Sequence, residues 1–236
     1  MPLPTIATPT FELVLPSNGK KIKYRPFLVK EEKVLILALE TGDTSDITRA
    51  IKDVLKACVQ TRGVKVDQLP TFDIEYLFLN IRARSVGETI KLLVNCPDDN
   101  GETQVSVELD INDIKVQKSE DHTIDIDIDG NYKLRMKYPS LDQFINNNFN
   151  FEDKEQDVFK MVAACVDLVY DDETAYDDFT EKEMIKFLEQ FNSSQFREIE
   201  KFFDTMPKLA HKFDVVNPNT GVSNEITLEG LSSFFG

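Results

Sequence analysis

Tryptophan is absent from the 236 residues, and histidine, cysteine and glycine are scarce at two, three and nine. Each shortage closes off a kind of chemistry. Neither His122 nor His211 stands beside a nucleophile motif, which argues against Ser–His and Cys–His catalysis. With so few glycines there is no phosphate-cradling loop and no dinucleotide fingerprint. Cys58, Cys96 and Cys165 are odd in number and far apart, as expected in a reducing compartment, and Cys58 and Cys165 fall on apolar helix faces as small buried hydrophobes. No apolar run approaches the roughly 20 residues that span a bilayer. The opening MPLPTIATPTFELVLP lacks the charged start and continuous apolar core of a secretory leader.

Positive charge is also short. Lys and Arg total 27 against 42 Asp and Glu, for a net charge of −15. A surface of that sign repels phosphate backbones, so neither nucleic acid nor membrane is expected as a partner. The one basic stretch, GKKIKYR, alternates with apolar residues as the solvated face of a strand does.

What is there is a folding sequence: 41% hydrophobic, with 17 Phe. FELVLPSNGKKIKYRPF predicts a hairpin turning at Ser17-Asn18-Gly19. VKEEKVLILALE, SDITRAIKDVLKACVQTR and the stretch after Pro70 predict helices, the second with Ile47, Ile51, Val54, Leu55, Cys58 and Val59 on one stripe. From Val86 to Tyr138 the period becomes alternating, giving four strands: ETIKLLVN, TQVSVELDI, TIDIDID and YKLRMKY. Helical spacing returns after Pro139, with capping-box pairs Ser140/Gln143 and Thr180/Glu183. Val158, Met161, Val162, Cys165, Val166 and Val169 form one helical stripe there. A last hairpin turns at NPNTG, and the chain closes on LSSFFG. The fold expected is α+β, in four segments: a hairpin and helices (1–85), a mainly antiparallel β module (86–138), helices (139–210), and a hairpin with a Phe-Phe tail (211–236).

Three motifs invite chemistry. DIDIDG (125–130) matches half an EF-hand loop, but position twelve is Met136 and no helix flanks it. Strand alternation fits better, and a three-residue loop at 129–131 puts Asp125 opposite Arg135, Ile126 opposite Leu134 and Asp127 opposite Lys133. Ile124, Ile126 and Ile128 then face the core. The turns NCPDDNG and NPNTG resemble the Cys-Pro-x-Cys-Gly knuckles of a zinc ribbon, yet between them supply one ligand, Cys96. A structural zinc needs four, so no metal and no cofactor is expected. The acidic run YDDETAYDD (Tyr170–Asp178) has the make-up of a solvated loop between helices, with cation binding as the sharper alternative.

LPSNGKKIKYRPFLVKEEK, LPTFDIEYLFLNIRARSVGE, MKYPSLDQF and LEGLSSFF together resemble the baseplate hub subunit, or hub-assembly protein, of T4-like contractile-tailed phages, nearest to cyanophage versions. The resemblance implies a non-enzymatic role in the host cytoplasm during tail assembly, through contacts with other hub or tail proteins. It leaves open a place in the finished baseplate or a transient chaperone's role. Some relatives carry Cys-Pro-x-Cys-Gly at the last knuckle, where this chain has Asn217 and Thr220. A weaker alternative is a metal-dependent hydrolase of the tail tip using the acidic run. Leu231, Phe234 and Phe235, at i, i+3 and i+4, point to one side of a single turn and are the candidate partner-binding residues.

Overall fold

The structure is a computed structural model that describes residues 6–141, 143, 154–230 and 233. The tail residues Leu231, Phe234 and Phe235 therefore lie outside the described residues. Within them run six helices and eleven strands, mostly antiparallel and in small sheets, which is an α+β fold. The chain forms two compact units, residues 1–117 with 208–236, and residues 118–207. The strands between 86 and 138 are divided between them, because β5 (Lys115–Gln117) pairs with β10 (Lys208–Val216) of the returning chain.

The first unit begins with a hairpin of β1 (Phe11–Val14) and β2 (Lys21–Tyr24), in register Phe11↔Tyr24 to Val14↔Lys21. Three helices follow: α1 (Val29–Thr41), α2 (Thr44–Cys58) and α3 (Thr71–Ser85). Asp43 caps α2 by accepting from the N–H groups of Ser45 (2.7 Å) and Asp46 (3.1 Å). The expected stripe packs inward, with Ile51, Val54, Leu55 and Cys58 buried. Helix α3 is the centre of the unit. Phe72, Ile74, Leu77, Phe78, Leu79 and Ile81 are all buried, so most of its circumference is covered, while Arg84 in its last turn is exposed. Its first turn carries a fully buried carboxylate, Asp73, which accepts from Ser17 N–H (3.0 Å) and Ser17 Oγ–H (2.5 Å). That pair fastens the β1–β2 turn to the start of α3, and burial raises the Asp73 carboxyl above its ordinary pKa. The buried Glu31 pairs with the half-buried Arg25 (3.0 Å) and also accepts from Leu28 N–H (2.6 Å) at the start of α1.

Two hairpins complete this unit. One pairs β3 (Thr89–Asn95) with β4 (Gln104–Asp110). The other pairs β10 with β11 (Ser223–Glu229), and β5 joins β10 on its far edge.

The second unit is a four-stranded sheet, β6 (Asp125–Asp127), β7 (Lys133–Met136), β8 (Val166–Tyr170) and β9 (Ala175–Tyr176), with α4 (Lys154–Cys165), α5 (Glu181–Leu188) and α6 (Ser193–Thr205). Its core gathers Ile126, Leu134, Met136, Val162, Cys165, Met184, Leu188, Ile199 and Phe202. The pairing is Asp125↔Arg135, Ile126↔Leu134 and Asp127↔Lys133, as alternation requires. Ile128 packs on the core from its edge, whereas Ile124 lies just before the strand and is 39% exposed.

One element departs from the pattern in the sequence. The stripe from Val158 to Val169 predicts a continuous helix, but α4 ends at Cys165 and residues 166–170 are strand β8. Val166 and Val169 are three apart, which on a regular strand puts them on opposite faces. A register shift resolves this: Met136 opposes Val166 while Arg135 opposes Leu168, so Asp167 is the extra residue of a bulge. The bulge turns both valines inward, and a three-residue spacing that mimics a helix is the result.

Candidate functional site

The two knuckles resembling a zinc ribbon are brought face to face. Each sits at the tip of its hairpin, and in each the residue at the first knuckle position closes the loop through its backbone. Cys96 N–H donates to Thr103 O and Cys96 O accepts from Gly101 N–H, while Asn217 N–H donates to Val222 O and Asn217 O accepts from Gly221 N–H. Asn100 takes the left-handed conformation (φ 59°) that the first loop demands, a conformation asparagine tolerates. Beneath the tips, Val94, Cys96, Val215 and Ile226 form a small apolar core between the hairpins.

Where a ribbon would hold its metal, this chain has amides and carboxylates. Asn217 Nδ2 donates to Asp98 Oδ1 (2.9 Å) and Asp99 Oδ2 (3.0 Å). Asn224 Nδ2 donates to the same Asp98 Oδ1 (2.9 Å), and Asp98 N–H returns a bond to Asn224 Oδ1 (3.0 Å). Thr220 Oγ–H donates to Asp98 Oδ2, and Asn219 Nδ2 to Thr103 Oγ1 (2.8 Å). Asn217, Asn224 and Thr103 are buried. The Thr220 hydroxyl, with the Asn217 and Asn224 amides, holds the Asp98 carboxyl below its usual range; Thr103 and Asn217 do the same for Asp99. Burial, with the nearby Asp98 and Asp99 charges, pushes the Cys96 thiol up, away from the thiolate a metal needs. The donor set does not fit zinc. Carboxylate lone pairs that would face an ion are taken by N–H and O–H groups, and only one sulfur is present.

The remaining chemical candidates are structural as well. Asp125 pairs with Arg135 (2.8 Å), and Asp127 accepts from Gly130 N–H (2.7 Å) to close the β6–β7 loop. The acidic run is the β8–β9 turn, not a loop between helices. Asp171 there accepts from the N–H groups of Glu173 (2.9 Å) and Thr174 (2.7 Å). A cleft of about 340 Å³ beside Asp121, Asp125, Asp127 and Glu198 also contains Lys201, and two of its carboxylates are the engaged pair just described. His122 lies 3.0 Å from both Thr205 Oγ1 and Tyr138 Oη and packs on Phe202, with burial lowering its pKa. Among the described residues no group of three or more His, Cys, Asp or Glu is arranged to hold a metal ion.

One stretch of the described residues leaves apolar side chains uncovered. Leu28, Val29, Val34, Ile36, Leu37 and Leu39 are each about 40–70% exposed. Leu28 is the N-cap of α1 and the other five lie on it, out of sixteen large apolar side chains exposed among the described residues, so the exposure is concentrated there. The run Val34–Leu39, VLILAL, was the available sequence signal: six successive apolar residues make a helix apolar on every side.

A family model described as T4 bacteriophage base plate protein matches residues 8–236. The chain belongs to that family. The match crosses both compact units, so this T4-like baseplate protein has its structural role assigned over the whole fold and not over one module. No curated protein and no solved structure matches the chain. No helix among the described residues of the baseplate protein is long and apolar enough to cross a membrane.

Proposed function

We propose that this baseplate protein is a subunit of the central hub, working inside the host cell during assembly and retained in the virion tail, and that it acts by protein–protein contact without catalysis. The family match over residues 8–236 carries the baseplate part of this reading, and the resemblance of stretches such as LPSNGKKIKYRPFLVKEEK and LEGLSSFF to hub subunits favours the hub. It is supported by the acidic and polar clusters being engaged within the fold, as at Asp98, Asp125 and Asp171. A net charge of −15 favours protein partners over nucleic acid. Leu231, Phe234 and Phe235 are proposed as part of the contact surface, with a hub or tail protein receiving them. Quantitative mass spectrometry of purified virions tests the reading. A hub subunit is present at a fixed ratio to the other baseplate proteins. A transient chaperone is abundant in infected cells and missing from particles.

A further inference from the structure

Two buried side-chain polar atoms among the described residues lack a hydrogen-bond partner, Asp67 Oδ1 and Arg82 Nη1. They are not alike. Asp67 Oδ1 lies 2.8 Å from the Lys56 ammonium and 3.2 Å from that of Lys52, so its charge is met. Among the described residues no ion pair or hydrogen bond reaches the Arg82 guanidinium, and burial pulls its pKa down. The other arginines are accounted for. Arg25, Arg49, Arg84 and Arg135 each pair with a carboxylate, and Arg62 and Arg197 are exposed. The dipole of α3 favours a cation in its last turn, but that field gives no acceptor to a particular N–H. A sealed guanidinium nitrogen without an acceptor destabilises the chain that carries it.

Arg82 is half-buried, so the rest of its N–H fork is not sealed. It follows Glu75 by two turns of α3, on the same line and about 10 Å along the axis. Glu75 in turn marks where the tail departs: its Oε1 is 3.5 Å from where a Cβ on Gly230 would stand. Arg82 therefore flanks the exit of residues 231–236.

We infer that Arg82 anchors a carboxylate of the baseplate protein that receives the tail. The inference rests on the tail-contact reading above and adds the partner's chemistry, an Asp or Glu beside an apolar surface. The planar guanidinium fork matches a carboxylate in charge and shape. A nucleic acid would bring a row of phosphates against a chain of net charge −15, whereas a carboxylate brings a single charge. The unpaired cation costs the free chain stability, and the acceptor supplied in the complex recovers it.

Co-expression of the full chain with each baseplate protein of its phage tests this, with affinity and melting compared for the parent, Arg82→Met, Arg82→Lys and deletion of 231–236. Arg82→Met keeps an aliphatic stem and removes the charge. It should melt at or above the parent while its affinity for the partner falls at least about tenfold. Arg82→Lys, which keeps the charge and loses the fork, should fall between. A lowered melt in Arg82→Met makes Arg82 structural and overturns the inference. So does an affinity equal to the parent's, and if tail deletion still abolishes binding the tail reading stands. Binding lost in Arg82→Met but kept on tail deletion retains the anchor and removes the tail from the surface. If the chain binds none of the baseplate proteins, both fall. A melt raised by phosphate or acetate in the parent, and not in Arg82→Met, assigns Arg82 to a small anion and overturns the partner.

Discussion

Replacing Asn217 tests whether the knuckle network stands in for a metal. Asn217 is fully buried and its side chain is used at both ends. Nδ2 donates to Asp98 and Asp99, while Oδ1 accepts from the N–H groups of Asn219 (2.9 Å) and Thr220 (3.4 Å). Asn217→Ala removes these bonds from a fully buried position, and water at the exposed Asp98 and Thr220 replaces only part of them. Hydrogen bonds to charged groups contribute about 1.5–3 kcal/mol each, and partial rescue of the exposed Asp98 by Thr220 and Asn224 brings the expected loss to about 3 kcal/mol. For a unit of this size that lowers the melting temperature by about 6–12 °C. The pH dependence gives the sign. Asp98 and Asp99 have folded-state pKa values below their unfolded ones, so their contribution is present above about pH 4 and is lost as pH falls through the folded values. The gap between parent and Asn217→Ala therefore narrows in acid. Asn217→Asp places a third carboxyl against two others; its own pKa is raised, so it is worst at neutral pH and recovers on acidification. Urea titration followed by hydrogen exchange at β3, β4, β10 and β11 reads both. An Asn217→Ala protein within about 0.5 kcal/mol of the parent at neutral pH refutes the reasoning.

Four further outcomes are expected. Ile126→Asp buries an unpaired charge opposite Leu134 and should cost more than about 4 kcal/mol, while Asp127→Ser, still able to accept from Gly130, should cost less than about 1 kcal/mol; urea midpoints decide, and equal losses count against the register. Glu31→Ala takes the carboxylate from the half-buried Arg25, which keeps its bond to Pro26 O, and should cost about 1.5–3 kcal/mol at neutral pH. Burial pulls the Glu31 carboxyl up, but Arg25, Leu28 N–H and Lys30 outweigh it and leave it lowered, so this deficit should shrink below about pH 4 in acid melts. Cys58 is pushed up to about 11, Cys165 to about 12, and Cys96 is buried, so a thiol reagent at pH 8 should label three groups only after denaturation. Deleting Leu231–Gly236 should leave the melt nearly unchanged and abolish co-purification with hub proteins; a much lower melt with binding retained reverses the assignment.

Much of this fold was legible because its signals are local. Turn residues, caps and period located both end hairpins, α2, α3 and the register at Asp125↔Arg135. The misreading at Val166–Tyr170 was a matter of physics. A bulge at Asp167 gave a strand the three-residue spacing of a helix, and only its partner β7 distinguishes the two. Strand β5 was hidden for a related reason, since Lys115–Gln117 is short and its partner lies 90 residues on, in β10. The knuckles were visible as turns, but a hydrogen-bond network joining Asp98 to Asn217 and Asn224 depends on two hairpins meeting, which no local pattern encodes.

The perturbed carboxyls of this baseplate protein work within the fold. Burial raises a carboxyl's pKa, whereas donors and cations beside it lower it. Among the described residues, Glu31, Asp67, Asp98, Asp99, Asp125, Asp129 and Glu183 are lowered, each by a neighbour in the fold. Asp73 is raised by burial, and both its oxygens accept from Ser17 to fasten a turn to a helix. These carboxyls hold the protein's own loops, caps and knuckles. Among the exposed large apolar side chains of the described residues, those of α1 are the most concentrated. They do no chemistry, and they lower the free energy only when another surface removes them from water.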